Sequence, residues 1–556
     1  MFSLKKWKKY TYVSEISVAI ALKGIGKATL IGIKKDRAGD CDNECVLDSI
    51  CFDSDEDIRL TLHMRSVEPE GSEDADEGEL SCCYLKIDAL RDVQISEGAY
   101  EYSGKCEEAV KSRRVKLACC ICTYHREEYV IRNVRLMSES LLSDETAMSD
   151  SLEIFVIDNG RTLKEDFFAG NGSDKIHLIY NPNYGGSAGF TRGMLEAVIY
   201  RKEKDFTHVI FMDDDIQIYP EVLVRTKAFL QVIREEYQDN ILGGAMLLLE
   251  QKHVQAEACG YYEVMEGSNR IAPWNGMDLK CRENIILNEE AAGANFSGWW
   301  YSCIPVGMVR DGNLPLPLFL HRDDQDYGVR SGREILQLNG ICIWHPSPSG
   351  KHADNINFYD MRNMLITIMD ICPEQLTKKH LKHYLISEVI KKILGYQYRG
   401  AAMSLYGCEA FLDGPQSFLS RNPEELHKEL LEQCQTERTT VKASGVEVKR
   451  LSDERRLPVW LKIIRYLRPD NRTCYVEAGC NYPSYLGYKR VIYIDKMTPA
   501  GGYKLERSAG DTLRIIFRLA GICRMVDKRL DAASEEWIRE LPVMKTLFFW
   551  ESYLHI

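Results

Sequence analysis

Hydrophobic positions change their rhythm twice along the chain. Up to about residue 110, short apolar runs alternate with polar residues, as in Ile58-Arg59-Leu60-Thr61-Leu62-His63-Met64 and Tyr84-Leu85-Lys86-Ile87. A period of two belongs to half-buried strands. The runs flank an acidic stretch, Glu68 to Glu79. That stretch has too little apolar surface for a core and is expected to be a mobile loop. A small β-sandwich is predicted for residues 1–112.

From Val115 the alternation stops. Val115-Lys116-Leu117-Ala118-Cys119-Cys120-Ile121-Cys122 is nearly continuous in apolar character, as expected of a strand buried on both faces of a parallel sheet. A helical stretch from about Glu127 to Leu142 follows. A second apolar run, Leu152 to Ile157, ends in Asp158-Asn159-Gly160. A third, Ile176 to Tyr180, leads into Asn181-Pro182-Asn183-Tyr184-Gly185-Gly186-Ser187-Ala188-Gly189. A fourth, His208 to Met212, ends in Asp213-Asp214-Asp215. Strand–helix alternation predicts an α/β domain over residues 113–370. In such sheets ligands bind at the carboxyl ends of strands, where these polar and glycine-rich clusters fall. From about residue 356 the pattern turns helical, with Ile356 to Ile371, Pro373 to Tyr396 and a charged stretch from Asn422 to Glu437. Residues 371–556 are therefore predicted to be mostly helical.

Composition narrows the class. The chain has 556 residues, 45% hydrophobic and 28% charged, which excludes wholesale disorder and exceeds one domain. A net charge of −12 argues against nucleic acid as partner. No apolar run reaches the ~20 residues of a membrane-spanning helix. The basic head from Met1 to Lys9 is followed by polar sequence, so no secretion signal is expected. The 19 cysteines then point to reduced thiols in a cytosol. Cys119, Cys120 and Cys122 read as buried thiols, and Cys41 and Cys45 lack the second pair of a structural zinc site. Charge is unevenly spread: residues 450–529 carry 17 Lys+Arg and 8 Asp+Glu, a balance of +9. With Trp460 among them, they are expected to face an anionic membrane surface.

Asp213-Asp214-Asp215 is the strongest chemical signal. Three successive carboxylates repel one another and are costly to bury without a cation. In extended geometry Asp213 and Asp215 share a side, which suits a divalent ion on a diphosphate. Thr123-Tyr124-His125-Arg126 offers a hydroxyl, an aromatic face and a guanidinium after the first strand. Asp158 offers a carboxylate after the second, and the glycines after the third admit close approach by a ligand. A second acidic cluster, His321-Arg322-Asp323-Asp324-Gln325-Asp326, could deprotonate an attacking hydroxyl, or cap a helix, or both. Trp299-Trp300 could stack on sugars or fill the core. His345, closing a strand, becomes a candidate third metal ligand, and the loop Pro346 to Gly350 a candidate cover over substrate.

Together these strings resemble family 2 glycosyltransferases with the GT-A (Rossmann-like) fold, and more narrowly the polymerising galactofuranosyltransferases of cell-wall galactan synthesis. The match runs over residues 115–365, on Cys122 to Arg126, Asp158 to Gly160, Asn183 to Gly189, Asp213 to Asp215, Gly298 to Trp300, Asp323 to Gly328 and Trp344-His345. The resemblance implies a donor pocket of Thr123, Tyr124, Arg126, Asp158, Asn183, Gly185, Gly186, Asp213 and Asp214. It implies Mn²⁺ or Mg²⁺ on Asp213, Asp215 and His345. Asp324 would be the general base, with Asp323 on the acceptor sugar. Trp299, Trp300, His253 and Glu257 would complete the acceptor side. Tyr359-Asp360-Met361-Arg362-Asn363 resembles a segment of related transferases without an assigned role. Arg322 stands where the galactofuranosyl enzymes carry tryptophan.

The expected activity is inverting transfer of a sugar, galactofuranose from UDP-galactofuranose, onto a growing lipid-linked cell-surface glycan. The enzyme would work in the cytoplasm, peripheral on the inner face of the membrane, with a homo-oligomer left open. A rhamnosyltransferase using dTDP-rhamnose remains an alternative. A nucleotidyltransferase would want a glycine- and lysine-rich phosphate loop near the first strand. A non-catalytic carbohydrate-binding protein would leave the metal-type carboxylates unexplained.

Overall fold

A computed structural model describes residues 1–13, 15–35, 42–64, 80–103, 113–143, 146–170, 172–265, 268–271, 276–290, 292–347, 354–434, 438–439, 448–449, 458–477, 485–494 and 502–556. The acidic stretch from Glu68 to Glu79, most of the loop after Pro346, Cys41 and the side chain of Trp460 lie outside them.

After helix α1 (Leu4–Tyr10), strands β1 (Glu15–Lys35), β2 (Asp42–His63), β3 (Leu80–Ala89) and β4 (Gln94–Ser103) form one antiparallel sheet. This corrects the expected sandwich of two sheets. The 21-residue β1 pairs with β2 along its length, with β4 on its first half and with β3 on its second. A register shift between Leu22 and Gly24 separates the halves, and Gly24 there has φ +122°. One long strand thus does the work that short alternations in sequence suggested for several. The basic head is not a free arm, since Leu4, Trp7 and Tyr10 are buried and Trp7 meets Phe229 edge-on at 5.3 Å.

The second sheet is the α/β body. Its strands are β5 (Leu117–Thr123), β6 (Leu152–Asp158), β7 (Ile176–Tyr180), β8 (His208–Asp213), β9 (Leu242–Leu248), β10 (Val254–Glu257), β13 (Met277–Asp278), β14 (Tyr301–Pro305) and β15 (Leu336–His345). The hairpin β11 (Gly260–Glu263)/β12 (Ser268–Ile271) stands beside it. Strands run in the order β13-β10-β9-β14-β8-β5-β6-β7, with β15 on β9. β7, β6, β5 and β8 are mutually parallel, and β14 enters antiparallel between β8 and β9. Helices α2 (Glu127–Leu141), α3 (Gly185–Met194) and α4 (Glu221–Val232) follow β5, β7 and β8. This is the Rossmann-like arrangement expected, and its apolar runs are buried as their composition requires: all of β6, and β5 except Cys122, are inaccessible.

α5 (Arg282–Glu290) and α6 (Asp323–Arg330) belong to the later part of the body. The helical region contains α7 (Ile356–Ile371), α8 (Lys378–Leu394), α9 (Tyr398–Leu412), α10 (Gly414–Ser420), α11 (Pro423–Gln433), α12 (Val459–Leu467), α13 (Ala509–Met544) and α14 (Leu547–Leu554). It also holds a mixed sheet in the order β16 (Arg438–Thr439), β20 (Gly502–Glu506), β19 (Tyr488–Ile494), β18 (Asp470–Glu477), β17 (Val448–Lys449). The 36-residue α13 buries Ile515, Leu519, Ile522, Val526, Leu530, Ala533, Trp537, Leu541 and Met544, one stripe at helical spacing.

After α13 the chain returns to the α/β body. Trp550 is inaccessible and donates its indole N–H to Pro315 O at 3.0 Å. Lys545 pairs with Asp370, and Arg330 lies 2.8 Å from Asp326 Oδ2 and 3.3 Å from Asp370 Oδ2. Two acids and two bases from α6, α7 and the α13–α14 junction are thereby buried together.

Candidate active site

Each predicted strand end contributes to one edge of the sheet, with different partners. Thr123 is buried and donates its hydroxyl to Asp214 Oδ2 at 2.8 Å. Asp158 is inaccessible. Its oxygens accept the backbone N–H groups of Gly160, Thr162 and Leu163 at 2.8–2.9 Å, so the carboxylate folds the turn that follows β6. Tyr124 is 40% exposed, donates to Glu424 Oε1 at 3.1 Å and is hydrogen-bonded by the Asn183 side chain. Gly185, at φ +83°, passes so close to Phe319 that a Cβ would lie 2.1 Å from its carbonyl oxygen, and the Gly186 N–H donates to that oxygen at 3.0 Å. These glycines serve a close approach of two loops.

The aspartate triplet is electrostatically strained. Burial, reinforced by neighbouring aspartates, pushes Asp213 up to about 7, and burial lifts Asp214 to about 6. Burial works upward on Asp215 too, but His345 and Arg126 hold it well below the usual carboxylate range. Arg126 is ion-paired to Asp215 and stands 3.8 Å from Asp214 Oδ1. His345 Nε2 lies 3.2 Å from Asp215 Oδ1 and 3.9 Å from Asp213 Oδ2.

Among the described residues, no three His, Cys, Asp or Glu side chains form a ready cage for a metal. Arg126 occupies one oxygen of Asp215, and His345 faces the other. The donor set nevertheless fits a divalent ion. His345 Nδ1 donates to Pro346 O at 2.6 Å, so Nε2, which in this structure carries the proton facing Asp215, is the nitrogen that would bind an ion once that proton is displaced. The raised Asp213 and Asp214 mark a place short of positive charge.

Asp323 and Asp324 open α6, where carboxylates are favoured. Burial and their mutual repulsion raise Asp323, and burial raises Asp324. Glu257 is raised by burial and then by Asp324, while His345 works in the opposite direction. His253 turns instead toward Asp278, 3.9 Å away. Trp299 is 6% exposed and packs edge-on against Phe190 and Phe211 at 5.4 and 4.9 Å. It is a core residue in this arrangement. Trp300 is half-buried and donates to Gly244 O at 2.9 Å.

The segment before α6 carries left-handed backbone at three non-glycine residues, Phe319, His321 and Arg322, with φ of 63–76°. Such conformations cost roughly 1–2 kcal/mol each. Arg322 spans Gln325, Asp360 and the ring of Tyr262 at 3.0, 3.5 and 5.2 Å, and His321 Nδ1 lies 3.1 Å from Asp360. Glu424 and Asp360 were not candidates from sequence. Glu424 sits 300 residues from Tyr124 without a local signal. Asp360 belongs to the segment that matched related transferases without a role.

No protein-family profile matches this sequence. Galactofuranosyltransferase GlfT2 of Mycolicibacterium smegmatis is 28% identical over 330 residues, 55% of this chain and 49% of that protein. GlfT2 of Mycobacterium tuberculosis is 27% identical over the same shares. The chain thus spans about half the length of the curated relatives it matches. Among solved structures, Staphylococcus aureus TarS 1-349 with UDP aligns at TM-score 0.29 and 13% identity, over 50% of this chain and 71% of that one. Glucosyl-3-phosphoglycerate synthase of Mycobacterium tuberculosis with Mn²⁺ and UDP aligns at 0.28 and 13%, over 48% and 83%. Over 330 residues, this chain is similar in sequence to the GlfT2 galactofuranosyltransferases.

Proposed function

We propose that the chain is an inverting, metal-dependent glycosyltransferase that moves galactofuranose from UDP-galactofuranose onto a growing lipid-linked glycan. The observation that supports this reading is the aspartate triplet at the end of β8, with His345 Nε2 3.2 Å from Asp215 and 3.9 Å from Asp213 and with Arg126 beside it. Homology to GlfT2 supplies the choice of sugar.

Asp213, Asp215 and His345 would hold Mn²⁺ or Mg²⁺. When bound, the ion would neutralise charge growing on the leaving diphosphate. Thr123 fixes Asp214, and Arg126 places a guanidinium beside the triplet. Tyr124 and Asn183 would face the nucleotide. Asp324 would take the proton of an acceptor hydroxyl as it attacks the anomeric carbon from the face opposite the diphosphate. Its burial makes it a stronger base than an exposed aspartate. Trp300, Asp323 and Glu257 would orient the acceptor.

Among the described residues, no helix is long and apolar enough to cross a membrane. The reading places the protein on the inner membrane face through α12 and the start of α13. Ile463, Ile464, Leu467, Leu513, Ile516 and Phe517 are 47–75% exposed there, next to Arg465, Arg468 and Arg514. Tyr466 and Thr512 join the two helices by a hydrogen bond. An apolar face with basic flanks binds anionic lipid.

The deciding assay offers UDP-galactofuranose, other UDP-sugars and dTDP-rhamnose with Mn²⁺ or excess EDTA, for the wild type and Asp324→Asn. Metal-dependent transfer from UDP-galactofuranose, lost in Asp324→Asn with donor binding kept, is expected. Full activity in EDTA, or normal turnover in the variant, overturns the reading.

A further inference from the structure

Residues 359–363 on α7 touch the strained segment 318–322 through four of their five side chains. Tyr359 stacks on Phe319 at 5.6 Å and 18°. Asp360 accepts from His321 and pairs with Arg322. Arg362 Nη2 donates to Leu318 O at 3.1 Å. Asn363, wholly buried, directs its Nδ2 at three carbonyls, those of Leu318, Leu320 and His321, at 3.1, 2.8 and 3.0 Å. Its Oδ1 accepts from Arg362 Nε at 3.0 Å. The Arg362 guanidinium is itself enclosed by the rings of Phe358, Tyr359 and Phe418 at 4.8–5.3 Å.

The chemistry of this contact is specific. An amide nitrogen carries two donors on a rigid plane, which matches carbonyls converging from one turn of chain. A carboxylate has the same shape and no donor. Leu318 and Leu320 flank left-handed Phe319, His321 is itself left-handed, and Arg322 then leads into Asp323 and Asp324. Strained backbone persists only where its surroundings over-determine it, and among these groups Asn363 holds the most carbonyls of the segment.

We propose that Asn363, fixed by Arg362, is a positioning residue that clamps segment 318–322 and so sets where Asp323 and Asp324 stand for transfer. The proposal rests on the reading of Asp324 as the base. Misplacement of a reacting group by about 1 Å can cost ~100-fold in rate, with the donor site on β5 and β8 untouched.

Asn363→Asp removes both donors while leaving a carboxylate oxygen to pair with Arg362 Nε. Where it does not fold, Arg362→Lys, which keeps the charge and loses the Nε bond that fixes Asn363, is the second variant. It is expected to shift kcat and exchange at 318–326 in the same direction, and wild-type values in it overturn the clamp. Expected results for Asn363→Asp are a kcat lower by roughly 100-fold, donor KM within about twofold, and faster amide exchange in peptides covering 318–326 but not 208–213. His321→Gly added to it relieves one left-handed residue and should recover part of the lost kcat. A folded Asn363→Asp protein with wild-type kcat, or with unchanged exchange at 318–326, overturns the clamp. Normal transfer by Asp324→Asn overturns the base reading instead, whatever the exchange pattern shows.

Discussion

Replacing Lys545 by methionine removes one charge from the buried group of four formed by Asp326, Arg330, Asp370 and Lys545. Their side chains are 0, 10, 3 and 14% exposed, so solvent cannot compensate. With Lys545 the group is neutral, and without it two carboxylates share one guanidinium. Removing one partner of a buried ion pair costs about 3–5 kcal/mol. Asp326, already raised by burial and held down in part by Arg330 and Lys545, can limit the loss by keeping a proton, which raises its folded pKa further above the unfolded value. A group that binds more protons folded than unfolded loses stability as pH rises, by up to about 1.4 kcal/mol per unit. The deficit of Lys545→Met is therefore expected to be larger at pH 8 than at pH 5.5. Urea midpoints followed by tryptophan fluorescence at both values measure it. Adding Asp370→Asn removes the orphaned charge and should restore more than half of the loss. An equal shift at both pH values, or a double variant as unstable as the single one, would refute the reasoning.

Other outcomes follow from the same geometry. Trp299→Ala should destabilise the fold by about 3–5 kcal/mol, whereas Trp300→Ala should stay folded and raise the acceptor KM; thermal melts and acceptor titrations distinguish the two. Gly185→Ala forces a Cβ against the Phe319 carbonyl at a left-handed position and should sharply reduce soluble, active protein, which expression yield and specific activity check. The acid limb of the kcat/KM profile should lie above the ordinary aspartate range, because burial raises Asp324 and the base is lost as pH falls through that raised value. A limb at or below pH 4 would contradict it. Glutamate at Ile463 and Leu467, both exposed, should weaken flotation with anionic vesicles while leaving transfer to a soluble acceptor intact.

What was legible in the sequence was local. A continuous apolar run that stops at Asp213-Asp214-Asp215 declares both a buried strand and its carboxyl end, because nothing else accommodates that abrupt change. The same holds for β5 to β7. Roles that depend on distant packing were not legible. Trp299 and Trp300 are chemically identical neighbours, yet one packs on Phe190 and Phe211 while the other reaches Gly244. Asp158 reads as a ligand group in sequence, and its hydrogen bonds from the backbone N–H groups of Gly160, Thr162 and Leu163 depend on a turn the sequence does not declare. The N-terminal alternation signalled strands correctly, but the single sheet depends on a 21-residue β1 whose halves choose different partners. The sheet β16 to β20 escaped because its short strands are scattered among charged stretches that read as helix or tail.

Trp550 gives the α/β body a particular history. Its indole completes a core shared with Leu314 and Tyr327, yet it leaves the ribosome roughly 220 residues after Tyr327. At roughly 5–20 residues per second that interval is about 10–45 s. Over that interval the socket beside Pro315 and the group of Lys545, Asp370 and Arg330 are expected to stand incomplete. The α/β body is therefore expected to complete its core only after Lys545 and Trp550 have been synthesised.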